Sequence, residues 1–220
     1  MNNRIATDSV IEHLMTGKIT IITYVNHWRK HSMKQDDSFL TEYPVEVVYN
    51  RIDTKVFKPT PSNFRYDYGI SDDDIMILGV ANKWEKRKGL GDFLELDRRL
   101  NTEGVTKEHP ASGSRYRIVL VGLSPEQIKL ISTSNPNIIT ISHTENATEL
   151  AQIYTAADVF VDPTKEDNLP TVKLEAEACG TPVITYDTGG YTETIRLEDS
   201  SVVEHHVEAV LKTIIDKNPL

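Results

Sequence analysis

Asp158-Val-Phe-Val-Asp162, Pro163-Thr-Lys-Glu-Asp-Asn-Leu-Pro170, Thr171-Val-Lys-Leu-Glu-Ala-Glu-Ala-Cys179 and Gly180-Thr-Pro-Val-Ile-Thr-Tyr186 follow one another without a gap. They read as a strand, a polar loop, a helix and, after a stop signal, a second strand. The strand residues are apolar without alternation, the pattern of a strand buried on both faces. Gly180 is predicted as the left-handed C′ residue of a helix over Thr171 to Cys179, and Pro182 beyond it prevents the helix from continuing. Two such strands joined through a helix make a parallel β-α-β unit.

The same grammar extends towards the N-terminus. Ile75-Met-Ile-Leu-Gly-Val-Ala81, Tyr116-Arg-Ile-Val-Leu-Val-Gly122 and Asn137-Ile-Ile-Thr-Ile141 are further short apolar runs bounded by Gly, Ser, Asn or Asp. Leu90, Phe93, Leu94 and Leu100 predict a helix after the first of them. Leu150, Ile153, Tyr154 and Ala157 stand at i, i+3, i+4 and i+7 and predict another, with Asn146 as N-cap and Glu149 at the capping-box position. Val207 to Ile215 predicts a last amphipathic helix. The expected fold class is therefore α/β, a Rossmann-like parallel sheet with helices on both faces.

The first 60 residues differ. Strands are expected at Lys18–Val25 and Pro44–Tyr49 around a polar helix near Asn26 to Ser38, and Arg51 to Ser71 carries prolines and little apolar periodicity, as a linker does. The expected division is residues 1–60 as one part and 61–220 as a Rossmann-like domain.

Composition narrows the function. With 24 Lys+Arg against 33 Asp+Glu the 220-residue chain has a net charge of −9, which disfavours nucleic acid and anionic membrane surfaces as general partners. The single cysteine, Cys179, cannot form an internal disulfide and reads as a small buried hydrophobe. The opening residues lack the apolar run of a signal peptide, and no stretch approaches about 18 consecutive apolar residues. A cytoplasmic location is expected, with the inner face of the membrane as a second address. The seven histidines show no metal-binding spacing, no Gly-x-Gly-x-x-Gly follows a strand, and neither a P-loop nor a Gly-x-Ser-x-Gly elbow is present.

Open parallel sheets bind ligands beyond the carboxyl ends of their strands. The loop after Ala81, Asn82-Lys-Trp-Glu-Lys-Arg-Lys-Gly89, places Lys83 and Lys88 where cations can meet a diphosphate; the alternative is a solvated basic loop. The loop from Asp162 to Thr171 opens a helix whose free N–H groups suit a phosphate, and Glu175, one turn inside, can accept two hydrogen bonds from a sugar diol. Alternatively Asp167 and the glutamates merely complement the helix dipole. Gly189-Gly190 permits close backbone approach to a ligand or simply makes a turn. His143 follows the third strand and stands either at the crevice or on the surface.

Together these loops resemble the donor-binding half of the GT-B glycosyltransferases, in particular the large retaining family numbered four. Lys83 stands where that family has an Arg, and Lys88-Gly89 matches its Lys-Gly. Glu175-Ala-Glu-Ala-Cys-Gly-Thr-Pro-Val183 is similar to its Glu-Ala-x-Ala-x-Gly-x-Pro-Val segment, and Asp167, separated from Glu175 by seven residues, matches its first acid. Asn50-Arg-Ile-Asp-Thr-Lys-Val-Phe-Lys-Pro59 resembles the interdomain linker, with Arg51 in place of a Gly. Were that Gly left-handed in relatives, Arg51 would need another backbone shape.

The resemblance implies a transfer of a hexosyl group with retention, from a nucleotide diphosphate sugar to a saccharide or lipid-linked acceptor, in capsular, exopolysaccharide or lipopolysaccharide synthesis. Lys83, Lys88, Asp167 and Glu175 would be the catalytic set. His143, Asn168, Leu169, Thr171, Val172, Gly189 and Gly190 would line the donor site, with the base near 141–146; neither cofactor nor metal is expected. In the family the linker lies near mid-chain, so residues 1–60 read as a remnant of the acceptor-binding domain. The isolated chain is then expected to be inactive: either it is truncated or another chain supplies the missing half, and the orphaned strand edges of the N-terminal segment are expected to seek a partner or self-associate. Two other readings stand beside this one: a noncatalytic nucleotide-sugar-binding subunit, and an epimerase of the same architecture.

Overall fold

The computed structural model describes residues 22–24, 45–47, 50–101, 116–166, 170–188 and 195–217. The chain divides into two compact units, Met1–Asn50 and Arg51–Leu220. In the first, β1 (Ile22–Tyr24) and β2 (Val45–Val47) pair in parallel. The helix expected near Asn26 to Ser38 lies outside the described residues.

The second unit is a parallel sheet of six strands: β3 (Ile75–Val80), β4 (Tyr116–Val121), β5 (Ile139–Ile141), β6 (Val159–Asp162), β7 (Val183–Tyr186) and β8 (Ser201–Val203), in the spatial order β5-β4-β3-β6-β7-β8. Its helices are α1 (Phe64–Asp67), α2 (Leu90–Asn101), α3 (Pro125–Ser134), α4 (Ala147–Ala156), α5 (Thr171–Ala178) and α6 (Val207–Lys217). The unbroken apolar runs are explained by cores on both faces. Ile77, Ile118, Leu120, Val159, Val161 and Ile184 point to one face, where Phe93, Leu96 and Leu100 of α2 and Val210, Leu211 and Ile214 of α6 cover them. Met76, Leu78, Val119, Val121, Phe160 and Val183 point to the other, against Ala151, Ile153 and Tyr154 of α4 and Ala176 of α5. Alternate residues of each strand thus serve opposite cores, as the two-residue period requires.

The sheet is the Rossmann-like α/β sheet the sequence predicts. Asn146 caps α4 by accepting from the Glu149 amide at 3.0 Å, while the Glu149 carboxylate reaches back to the Glu145 amide instead of that of Asn146. Gly180 is left-handed with φ 86°. Arg51 keeps a negative φ, since among the described residues no residue other than glycine has a positive one.

Three elements were not expected from the sequence. α3 buries fully only Ile131, so its apolar period is faint; its signal is the capping box, in which Ser124 accepts from the Gln127 amide and Gln127 accepts from that of Ser124, with Pro125 opening the helix. α1 is a single turn inside the Pro-bearing segment. Its Arg65 fastens it to the strand starts, donating to the carbonyls of Ala156 (3.0 Å), Ser71 and Asp74 (both 2.6 Å) and to the Asp158 carboxylate (3.1 Å). β8 is an edge strand of three residues, too short to show a period.

Candidate functional site

Chain order and spatial order part company at β3. The chain runs outward from β3 through β4 to β5, then returns to β6 on the other side of β3 and continues outward through β7 to β8. The helices that follow β3 and β6, α2 and α5, therefore cover opposite faces of the sheet, and the carboxyl ends of these two strands form the switch point where open α/β sheets take ligands. Both of the charged loops singled out by sequence leave these two strands.

The first loop is built on Trp84. Its ring is buried edge-on against Phe93 (5.5 Å, 88°), its Nε1 donates to the Val121 carbonyl at 2.9 Å, and its own carbonyl accepts from Gln127 Nε2 at 2.8 Å. With the tryptophan turned inward, its neighbours turn outward. The Lys83 side chain is 80% exposed and meets Glu85 at 3.5 Å, and Glu85 also pairs with Arg87 at 3.1 Å. Arg87, and then Lys83, hold the Glu85 carboxyl below its ordinary range. Lys88 is half-buried in a 3₁₀ turn, Lys86–Lys88, that leads to Gly89.

Gly89 explains why a glycine follows the lysine. It is left-handed (φ 73°), and a Cβ there would lie 2.6 Å from the Pro163 carbonyl oxygen of the second loop. The two loops are closed on each other: the Lys165 amide donates to the Arg87 carbonyl (2.8 Å), Arg87 Nη1 donates to the Glu166 carbonyl (3.0 Å), and Lys165 Nζ meets Asp92 of α2 at 3.2 Å. Lys83, Lys88 and the approach to α5 thus share one rim.

On α5 the two glutamates separate. Glu177 accepts from the amides of Arg196 and Leu197 and from the Ser200 hydroxyl, which makes it a fastener for the loop before β8. Glu175 accepts from the buried Tyr154 hydroxyl at 3.2 Å and interacts with the Thr171 side chain. Burial raises the Glu175 carboxyl above its ordinary range, and the two hydroxyl donors oppose that rise. Pro170 holds the N-cap position without a side-chain acceptor, so it leaves the first-turn N–H groups at Thr171 and Val172 uncapped by itself.

The structure therefore places Lys83 and Lys88 in the loop after β3, and Thr171, Val172 and Glu175 on the first turns of α5, the helix that follows β6. His143 is exposed after β5, the edge strand two places from β3, with its Nδ1 3.1 Å from the Ser142 hydroxyl. Asp167, Asn168, Leu169, Gly189 and Gly190 lie outside the described residues. Tyr154 was legible only as a core position of α4; the signal of more was a tyrosine on a buried stripe, whose hydroxyl must find a partner. Among the described residues no three His, Cys, Asp or Glu side chains gather where they could hold a metal ion, and no helix is long and apolar enough to cross a membrane.

A parallel sheet with helices on both faces, a switch point between β3 and β6 and a Lys-Gly loop locked to the loop before α5 make a Rossmann-like fold of the GT-B type. The chain belongs to the family described as glycosyl transferases group 1, whose model matches residues 62–216. It is 26% identical over 169 residues to the D-inositol 3-phosphate glycosyltransferase of Acidothermus cellulolyticus, which takes in 72% of this chain and 36% of that protein. It is also 26% identical over 188 residues to the alpha-galactosylglucosyldiacylglycerol synthase of Streptococcus pneumoniae, with 79% of this chain and 49% of that protein covered. The chain thus spans half or less of the length of these two relatives.

Solved structures show the shared fold. Anabaena HepE in complex with UDP-glucose superposes with a TM-score of 0.69 at 15% identity, over 90% of this chain and 53% of that one. The C-terminal domain of the group 1 protein LpcC from Francisella tularensis gives 0.56 at 22% identity, over 76% of this chain and 89% of that domain.

Proposed function

We propose that this chain is the donor-binding part of a retaining glycosyltransferase, one that moves a hexosyl group from a nucleotide diphosphate sugar to a saccharide or lipid-linked acceptor in surface-polysaccharide synthesis. The observation that carries the proposal is the shared rim of the Lys83–Lys88 loop, the uncapped start of α5 and Glu175. Family membership and the relatives support it: HepE was solved with UDP-glucose, and a match at 26% identity is a capsular polysaccharide biosynthesis glycosyltransferase of Staphylococcus aureus.

The roles follow from charge. As the bond between the sugar anomeric carbon and the diphosphate oxygen breaks, negative charge grows on the leaving phosphate; Lys83, Lys88 and the first N–H groups of α5 oppose it. The acceptor oxygen bonds the anomeric carbon on the face the diphosphate leaves, and the acceptor proton passes to a leaving phosphate oxygen. Glu175 accepts hydrogen bonds from the ribose, and Asp167 from the donor sugar. Lysine in place of arginine at Lys83 supplies charge without a bidentate fork. In this reading residues 1–60 are acceptor-domain and linker sequence.

The test is calorimetric titration of the chain with UDP, GDP, ADP and the parent nucleosides. One diphosphate should bind well above its nucleoside. Lys88→Ala should weaken the diphosphate by about tenfold and leave the nucleoside within about twofold, the cost of one charge-assisted contact. Equal losses for both would remove Lys88 from the phosphate subsite, and donor-independent behaviour of a folded chain would sink the proposal.

A further inference from the structure

The geometry points to Tyr154 as a positioning residue for Glu175 that sets how strongly the site prefers ribose to deoxyribose, with Phe57 of the linker segment holding the tyrosine ring in place; this rests on the donor-site reading above. Tyr154 is completely buried in α4. Phe160 of β6 packs against its ring edge-on (5.6 Å, 77°), and Phe57 does the same from the segment that precedes α1 (6.3 Å, 67°). Below the ring, the Thr181 hydroxyl donates to the Tyr154 carbonyl at 2.5 Å. A ring fixed on two edges leaves its hydroxyl one direction, and along it lies Glu175 Oε2 at 3.2 Å.

A glutamate on a helix otherwise samples several side-chain rotamers, each aiming the carboxylate elsewhere. The Tyr154 hydroxyl selects one. A carboxylate has about four lone-pair directions, and donors from Tyr154 and Thr171 occupy two of them. Two remain, the number that the vicinal hydroxyls of a ribose need. Because a buried tyrosine hydroxyl must donate to something, it also favours the carboxylate over the neutral acid, the form able to accept from both sugar hydroxyls.

Phe57 gives this arrangement a link to the linker. It follows a turn in which the Phe57 and Val56 amides donate to the Asp53 carbonyl and the Lys55 amide to the Asp53 carboxylate, and three residues further on the Thr60 amide donates to the Thr155 hydroxyl of α4. The segment is thus tied to α4 at the residue next to Tyr154. Where the linker sits, the tyrosine ring sits, and the ribose-facing carboxylate follows.

The experiment titrates the full chain with whichever of UDP, GDP and ADP the wild type binds, and with the 2′-deoxy form of the same nucleotide. The wild type should prefer the ribonucleotide by about tenfold or more, as expected of a charge-assisted hydrogen bond. Tyr154→Phe should cut that ratio at least about fivefold while the 2′-deoxy affinity stays within about twofold, and it should have no further effect in a Glu175→Ala background. Phe57→Leu, which keeps the segment apolar, should lower the ratio about twofold in the same direction. A merely structural tyrosine would weaken both nucleotides alike, so an unchanged ratio in Tyr154→Phe overturns the inference. Should that variant fail to fold, an unchanged ratio in Phe57→Leu overturns it. A wild type that binds both sugars equally overturns this inference alone, and a folded wild type that binds no nucleotide overturns the donor site with it.

Discussion

Glu175 and Glu177 stand two positions apart on one helix, so their side chains leave it in different directions; one meets a buried hydroxyl, the other gathers the amides of a loop. Residue type alone does not separate two acids near a helix start; the resemblance singles out Glu175, and the structure gives each its own partners. The same holds for Gly89, where the reason for glycine is a carbonyl more than seventy residues away. Gly89→Ala forces a left-handed alanine against the Pro163 oxygen, and we expect a loss of about 2–5 kcal/mol in urea unfolding. A loss under about 1 kcal/mol would mean that the loops separate easily and the shared rim is not fixed. Cys179 is 3% exposed, and burial pushes its thiol up to about 11. At pH 8 the thiolate fraction is then on the order of one in a thousand, so the native protein should react with Ellman's reagent far more slowly than the denatured chain. Rapid native labelling would contradict the buried thiol.

Between elements, α2 and α6 cover the same face of the sheet, and they are joined by charge as well as by apolar contact. Glu95 pairs with Arg98 (2.9 Å) and Arg99 (2.7 Å) on α2, and Arg99 also pairs with Glu208 of α6. Hydrogen bonds from Arg98, and then from Arg99, lower the Glu95 carboxyl from 4.5 to about 2. A folded-state value below the unfolded one makes the contribution fully present above pH 4.5, and it is lost as pH falls towards 2. Thermal midpoints of wild type and Glu95→Gln should therefore differ at neutral pH and converge by about pH 2, with salt narrowing the gap throughout. A gap that persists unchanged into acid would place the effect of the substitution elsewhere. At this scale α3 is the instructive omission from the sequence reading. Its helix is specified by the local chemistry of Ser124, Pro125 and Gln127 and only weakly by an apolar face, so a search for periodicity passes over it.

In the whole molecule both cores, all six strands of the large sheet and the candidate site belong to the unit Arg51–Leu220. Produced alone, residues 51–220 should unfold in one cooperative transition and bind the nucleotide with the affinity of the full chain, read by calorimetry and by the shift in thermal midpoint that a bound ligand causes. A fragment without a cooperative transition would show that residues 1–50 contribute packing this unit needs. The sequence by itself determined five of the six strands of the large sheet, four of the five helices longer than one turn, the caps at Asn146 and Gly180, and the loops that bear charge. These are local properties, written in the spacing of apolar residues and in the backbone needs of a few positions, and they survive being read one segment at a time. Only the tertiary structure decided that β6 returns beside β3, that Pro163 fills the space a side chain at Gly89 would need, and that a core tyrosine presents its hydroxyl to Glu175. Those facts depend on residues far apart in sequence being pressed together by burial of two apolar faces, and no window along the chain contains both partners.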